Sequence, residues 1–119
     1  MTKYVIGIDY GTDSCRAVLT DTRNGHEIDS EVFYYPRWQK ELYCDASKSQ
    51  FRQHPLDYIE SLTGTIKKIT DRADKDVVDN IVAISVDTTG STICAVDEAG
   101  QPLSLNEGFG EDPDAMFVL

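Results

Sequence analysis

The sequence predicts an α/β domain with the element order β-β-β-α-β and an added β-hairpin. Three observations predict it. Short β-branched runs alternate with turn residues up to Tyr35, apolar side chains recur at spacings of three and four between Pro55 and Ala73, and a further apolar run, Ile81 to Asp87, follows that stretch.

The first strand is Tyr4-Val5-Ile6-Gly7-Ile8-Asp9, a short apolar run that delivers an aspartate to its carboxyl end. A turn of Gly11, Thr12, Asp13 and Ser14 leads into the second strand, Cys15 to Thr20. Asn24-Gly25, a favoured pair for tight hairpins, separates it from the third, Glu27 to Tyr35, so the three strands are expected as an antiparallel meander. From Tyr35 to His54 the chain is polar and without period, which reads as a long insertion. Its aromatic residues, Trp38, Tyr43 and Phe51 among them, argue against disorder.

Pro55 suits a first helical position, and Leu56, Ile59, Leu62, Ile66 and Ile69 share one face, which predicts a helix from Pro55 to about Ala73. Ile81 to Asp87 arrives after this helix, and such a crossover places it parallel to an earlier strand. Like the first strand, it ends on an aspartate. Thr92 to Asp97 and Pro102 to Leu105 flank Glu98-Ala99-Gly100-Gln101 as the added hairpin, and the Gly- and acid-rich stretch to Pro113 reads as a loop. The apolar run Ala115 to Leu119 reads as a cut inside a longer protein. No repeat, low-complexity tract or linker interrupts residues 1–119, which are therefore expected to form one continuous α/β unit.

Composition excludes several classes. Eleven basic residues stand against twenty-one acidic ones, a net charge of -10, whereas a nucleic-acid binder needs a basic surface to neutralise phosphates. A small anion held by backbone N–H groups and a metal ion remains compatible with this acidity. Cys15, Cys44 and Cys94 are widely spaced and odd in number, fitting neither a disulfide framework nor a C-x-x-C metal site, so a reducing cytoplasm is the expected compartment. No signal peptide or membrane-length apolar run is present, and no membrane partner is expected.

The segment Gly7-Ile8-Asp9-Tyr10-Gly11-Thr12-Asp13-Ser14, with Arg16 and Ala17, resembles the first phosphate motif of the actin-like ATPase superfamily. The physical case is that Gly11 lets the backbone turn close to a ligand while Thr12, Asp13 and Ser14 present N–H and hydroxyl donors toward terminal phosphates. Asp9 would face Mg²⁺ through water, since that ion keeps part of its hydration shell. Asp13 places a negative side chain beside the phosphates and would serve only through its N–H. The same residues are also compatible with a plain hairpin turn in which Gly11 takes positive φ and Asp9 and Asp13 cap backbone donors.

Tyr35-Pro36-Arg37-Trp38 and Gln50 to Tyr58 resemble segments of the bacterial L-ribulokinase subfamily of the FGGY carbohydrate kinases. With Ser85 to Thr92 included, the resemblance runs along essentially the whole chain. It implies the ribonuclease H-like fold shared with actin, and an N-terminal piece of the first kinase domain whose parent transfers the γ-phosphoryl of ATP, with Mg²⁺, to L-ribulose. In that family the loop after the fourth strand lines the sugar pocket, which makes Asp87, Thr88, Thr89, Gly90 and Ser91 candidate contacts to a ketopentose. A strand-to-loop turn with Asp87 satisfying local N–H groups is the competing reading. The resemblance also implies that the catalytic base lies beyond residue 119, so no catalytic residue is assigned in this chain, and the piece alone is expected to be inactive.

Arg37, Trp38, Arg52 and His54 could reach a substrate or a neighbouring subunit of a homo-oligomer, but packing and cation–π pairs are the commoner use of such residues. Direct catalysis by His26 or His54 is not expected. Two other readings stay open: a ribonuclease H-like nuclease or resolvase with metal ions on Asp9 and Asp87, opposed by the net charge, and a non-catalytic nucleotide- or sugar-binding module.

Overall fold

A computed structural model describes all residues, Met1–Leu119. Its elements are β1 (Tyr4–Tyr10), β2 (Ser14–Asp21), β3 (Glu27–Tyr34), α1 (Pro36–Gln39), β4 (Arg52–Gln53), α2 (Pro55–Arg72), α3 (Lys75–Val78), β5 (Ile81–Thr88) and β6 (Phe117–Val118). They fall into two compact units, one of residues 1–34 and 61–88, the other of residues 35–60 and 89–119.

The first unit is a four-stranded sheet of order β3-β2-β1-β5, with β1–β2 and β2–β3 antiparallel and β1–β5 parallel, the expected meander and crossover. Alternation decides its two faces. Ile6, Ile8 and Tyr10 of β1 and Cys15, Ala17 and Leu19 of β2 are buried, whereas Asp9 and Arg16 are exposed on the opposite face. The β2–β3 turn is built as its residues require. Gly25 takes φ +73°, the Asp21 carboxylate accepts from the Arg23 backbone N–H at 2.9 Å, and Asn24 Oδ1 accepts from His26 N–H.

Helix α2 forms where the periodicity places it, but its buried face differs. Within the first unit Ser61, Thr65 and Ile69, spaced by four, are fully buried, while Leu62 and Ile66 are half-buried. Small residues win this position because they let the helix approach the sheet closely, and the hydroxyl of Thr65 is satisfied by the Ser61 carbonyl at 2.8 Å within the helix. An ideal Cβ on Gly64 would lie 2.6 Å from the ring of Phe33 on β3, which shows how near the two elements come. At the helix end Arg72 donates to Asp29 at 2.9 Å and to Glu31 at 2.7 Å.

The sheet edge at β5 is uncovered. Ile84 and Val86 lie in register with Ile6 and Ile8, on the helix-covered face, yet are 52% and 58% exposed. An eight-residue, β-branched strand open along one edge is a ready template for further pairing.

In the second unit the insertion is ordered. Tyr35, fully buried, stacks on Tyr58 at 5.4 Å, and Tyr58 on Phe117 at 4.6 Å. The short β4 pairs antiparallel with β6, matching Arg52 to Val118 and Gln53 to Phe117. The expected hairpin around Glu98-Gly100 is present as a turn closed by one bridge, Val96 to Pro102, while Leu103–Leu105 is a 3-10 turn. Asp97 explains why the turn holds without longer arms: its carboxylate accepts from Ala99 N–H, Gln101 N–H and the Asn106 amide.

Candidate functional site

The β1–β2 turn, the carboxyl end of β1 and the carboxyl end of β5 meet in the first unit. Register makes this so. Asp9 is opposite Arg16 on β2 and Asp87 on β5, and Gly7 is opposite Val18 and Ser85. Because cross-strand partners share a face, Gly7, Asp9, Arg16, Val18, Ser85 and Asp87 line one cleft of about 310 Å³ on the face that α2 leaves open.

The turn beside this cleft is tight. Gly11 N–H donates to the Ser14 carbonyl at 2.8 Å, and a Cβ at Gly11 would sit 3.2 Å from that oxygen. Gly11 is therefore needed for close backbone approach; it does not take positive φ. Its N–H is committed to the turn, and Thr12 and Asp13 are exposed at the tip. The Ser14 hydroxyl donates to the Asp13 carboxylate at 3.1 Å, so that carboxylate is drawn toward its neighbour.

Beneath the turn, the buried Cys15 thiol is pushed above its ordinary value by burial, an effect opposed by hydrogen bonds with Ser61 and Thr65. It acts as packing. Arg16 reaches Glu27 at 3.1 Å with both side chains half exposed, a pair of the weak surface kind. The donor set of the cleft, two exposed carboxylates and a hydroxyl with no thiol or imidazole, suits a hydrated hard cation such as Mg²⁺.

Of the expected polyol contacts, Asp87 and Thr88 belong to β5 in this unit, and Asp87 Oδ1 accepts from Thr88 N–H at 3.0 Å. Thr89, Gly90 and Ser91 fall in the second unit, where the Thr89 and Thr92 hydroxyls pair at 2.7 Å and Ser91 takes φ +58°. Of the other cleft residues, Gly7 and Ser85 lie in the motif segments without having been given a role, and Val18 lies outside them. Period-two alternation from Asp9 and Asp87 was the available signal.

The insertion residues take structural roles. Arg37 binds the fully buried Asp57 at 2.8 Å and Glu60 at 2.9 Å, and these carboxylates hold its guanidinium well above the usual arginine range. Arg52 donates to the Pro113 carbonyl at 3.1 Å. The buried His54 accepts from Leu56 N–H through Nδ1 at 3.1 Å, which leaves Nε2–H to donate to the Gly110 carbonyl at 3.0 Å.

The profile of the FGGY family of carbohydrate kinases, N-terminal domain, matches residues 4–106. A ribulokinase of Vibrio parahaemolyticus is 45% identical over 98% of this chain and 21% of its own length. A ribulokinase of Halalkalibacterium halodurans is 39% identical over 99% of this chain and 22% of its own. The chain thus spans about a fifth of the length of these relatives. The crystal structure of a gluconate kinase from Lactobacillus acidophilus superposes with a TM-score of 0.68 at 24% identity, over 85% of this chain and 18% of that one, a likeness of fold. With a family profile covering most of its length and the matching sheet, turn and crossover in place, the chain belongs to the FGGY family of carbohydrate kinases.

Proposed function

We propose that this chain is the phosphate-binding first part of a cytoplasmic, ATP-dependent kinase that phosphorylates L-ribulose in arabinose breakdown. One observation carries the reading: Asp9 stands at the end of β1, between a tight donor-bearing turn and Asp87, over an open cleft. Similarity to ribulokinases along 98% of the chain supports the choice of sugar.

In this reading Thr12, Asp13 and Ser14 supply N–H donors to the terminal phosphates and Asp9 holds Mg²⁺ through its water. When bound, Mg²⁺ neutralises charge on the transferring phosphoryl group. Gly11 permits close backbone approach, and Thr88, Thr89, Gly90 and Ser91, entered from Asp87, line the ketopentose pocket. The base and the adenosine pocket are assigned to the four fifths of the enzyme outside these residues, so the isolated chain should not turn over. A nuclease is disfavoured by family membership and by the net charge of -10.

The test replaces the matching segment of the Vibrio parahaemolyticus ribulokinase with this chain. The chimera is expected to release ADP in an L-ribulose-dependent manner, and Asp9→Asn to lower kcat by on the order of 100-fold. A folded chimera that binds ATP but ignores L-ribulose, or one indifferent to Asp9→Asn, would overturn the proposal.

A further inference from the structure

The kinase reading gives Asp9 a role but leaves Asp87 at the threshold of the sugar loop. Its position in the sheet says more. Parallel neighbours lie about 4.8 Å apart, and the β1–β5 register sets Asp87 level with Asp9 on the same face, both lining the cleft and both exposed. The only cationic side chain lining that cleft is Arg16, on the far side of Asp9, and it is shared with Glu27 at 3.1 Å. Two carboxylates line the wall against one guanidinium that Glu27 already engages, so the wall is negative. A bare polyphosphate approaching it meets repulsion, which a divalent cation between carboxylates and phosphate reverses. Gly7 opposite Ser85 leaves the floor open for such a group, with Ser85 Oγ 4.0 Å from where a Gly7 Cβ would be.

We infer that Asp87 is a second metal-facing carboxylate of the phosphate cleft, which with Asp9 makes polyphosphate binding depend on a divalent cation arriving with it. This rests on the kinase reading, and assigns Asp87 to the phosphate side of the site, away from the polyol.

Mn²⁺ and inorganic tripolyphosphate are the probes, with amide NMR spectra of the chain confirming that each variant is folded. In the wild type, Mn²⁺ broadens the amides of the β1–β2 turn and of Thr88 together. Asp87→Asn is expected to weaken Mn²⁺ binding about tenfold, the order for removing one unit charge near a divalent ion, and to tighten metal-free tripolyphosphate binding several-fold, while Asp87→Glu restores part of the metal affinity. Mn²⁺ binding unchanged in Asp87→Asn, or no broadening at Thr88, overturns the inference. So does a chimera in which Asp87→Asn raises KM for L-ribulose while leaving the metal dependence alone. Loss of sugar-dependent turnover in the wild-type chimera would strike the kinase reading and leave the Mn²⁺ result standing.

Discussion

Gly64→Ala sets two effects of known size against each other. Alanine in a helix interior is favoured over glycine by about 1 kcal/mol, so propensity alone predicts stabilisation. The new methyl carbon would lie 2.6 Å from Phe33 Cε2 and 2.7 Å from Cδ2. Carbon pairs prefer about 3.5–4.0 Å, so it overlaps the ring by about 1 Å at two atoms. Overpacking of this kind costs about 1–3 kcal/mol, and the expected net effect is a destabilisation of about 1 kcal/mol, a melting point lower by about 4 °C or more. Urea unfolding followed by circular dichroism at the helix band would measure it on four proteins: wild type, Gly64→Ala, Phe33→Leu and the double variant. With the ring gone, Gly64→Ala should stabilise by up to about 1 kcal/mol, giving a coupling of about 1–2 kcal/mol between the sites. A raised midpoint for Gly64→Ala alone, or effects that simply add, would refute the argued contact between α2 and β3.

At Gly7 the balance tips the other way. Its Cβ would meet only Ser85 Oγ at an ordinary 4.0 Å, so Gly7→Ala should raise stability by about 0.5–1 kcal/mol while weakening tripolyphosphate binding in the cleft, measured by the same urea midpoint and an NMR titration. Arg37→Ala strips the fully buried Asp57 of its 2.8 Å partner and leaves it the Arg37 and Trp38 backbone N–H groups. A loss of about 2–3 kcal/mol is expected, read from Trp38 fluorescence during unfolding, and Lys at this position should restore only part of it. Burial raises the Cys15 thiol above its ordinary 9.0, and burial followed by the Glu111 hydrogen bond raises Tyr43 above 10.0. The folded state therefore keeps both protons to higher pH than the unfolded chain does. Their contributions should be complete below pH 9.0 and fade as pH climbs past 9.0 and then 10.0, so a urea midpoint flat across this range would contradict the burial of these groups. The open edge of β5 should make the isolated chain self-associate with rising concentration, and Ile84→Lys should suppress this in sedimentation velocity; a monomeric wild type at high concentration would count against it.

The positions of β1, β2, β3, α2 and β5 were legible from local pattern, because alternation, helical spacing and turn chemistry act over a few residues. Asn24-Gly25 is a case in point, since the backbone itself demands the positive φ found at Gly25. The motif from Gly7 to Ser14 was legible for the same reason, as a strand end and turn are made by neighbouring residues. What the buried face of α2 would be was not, because Ser61 and Thr65 are buried by the closeness of a sheet formed elsewhere in the chain. The ordering of the insertion depended on stacking of Tyr58 against Phe117 and on β4 pairing with β6, contacts between distant segments that leave no local periodicity. The cleft is of this second kind too. Sequence by itself placed an aspartate near the carboxyl end of each of two strands, one residue before the ends the structure gives them at Tyr10 and Thr88, but only the parallel register of β1 with β5 decided that Asp9 and Asp87 stand side by side on one face, because a slip of one residue would have turned one of them to the other side of the sheet.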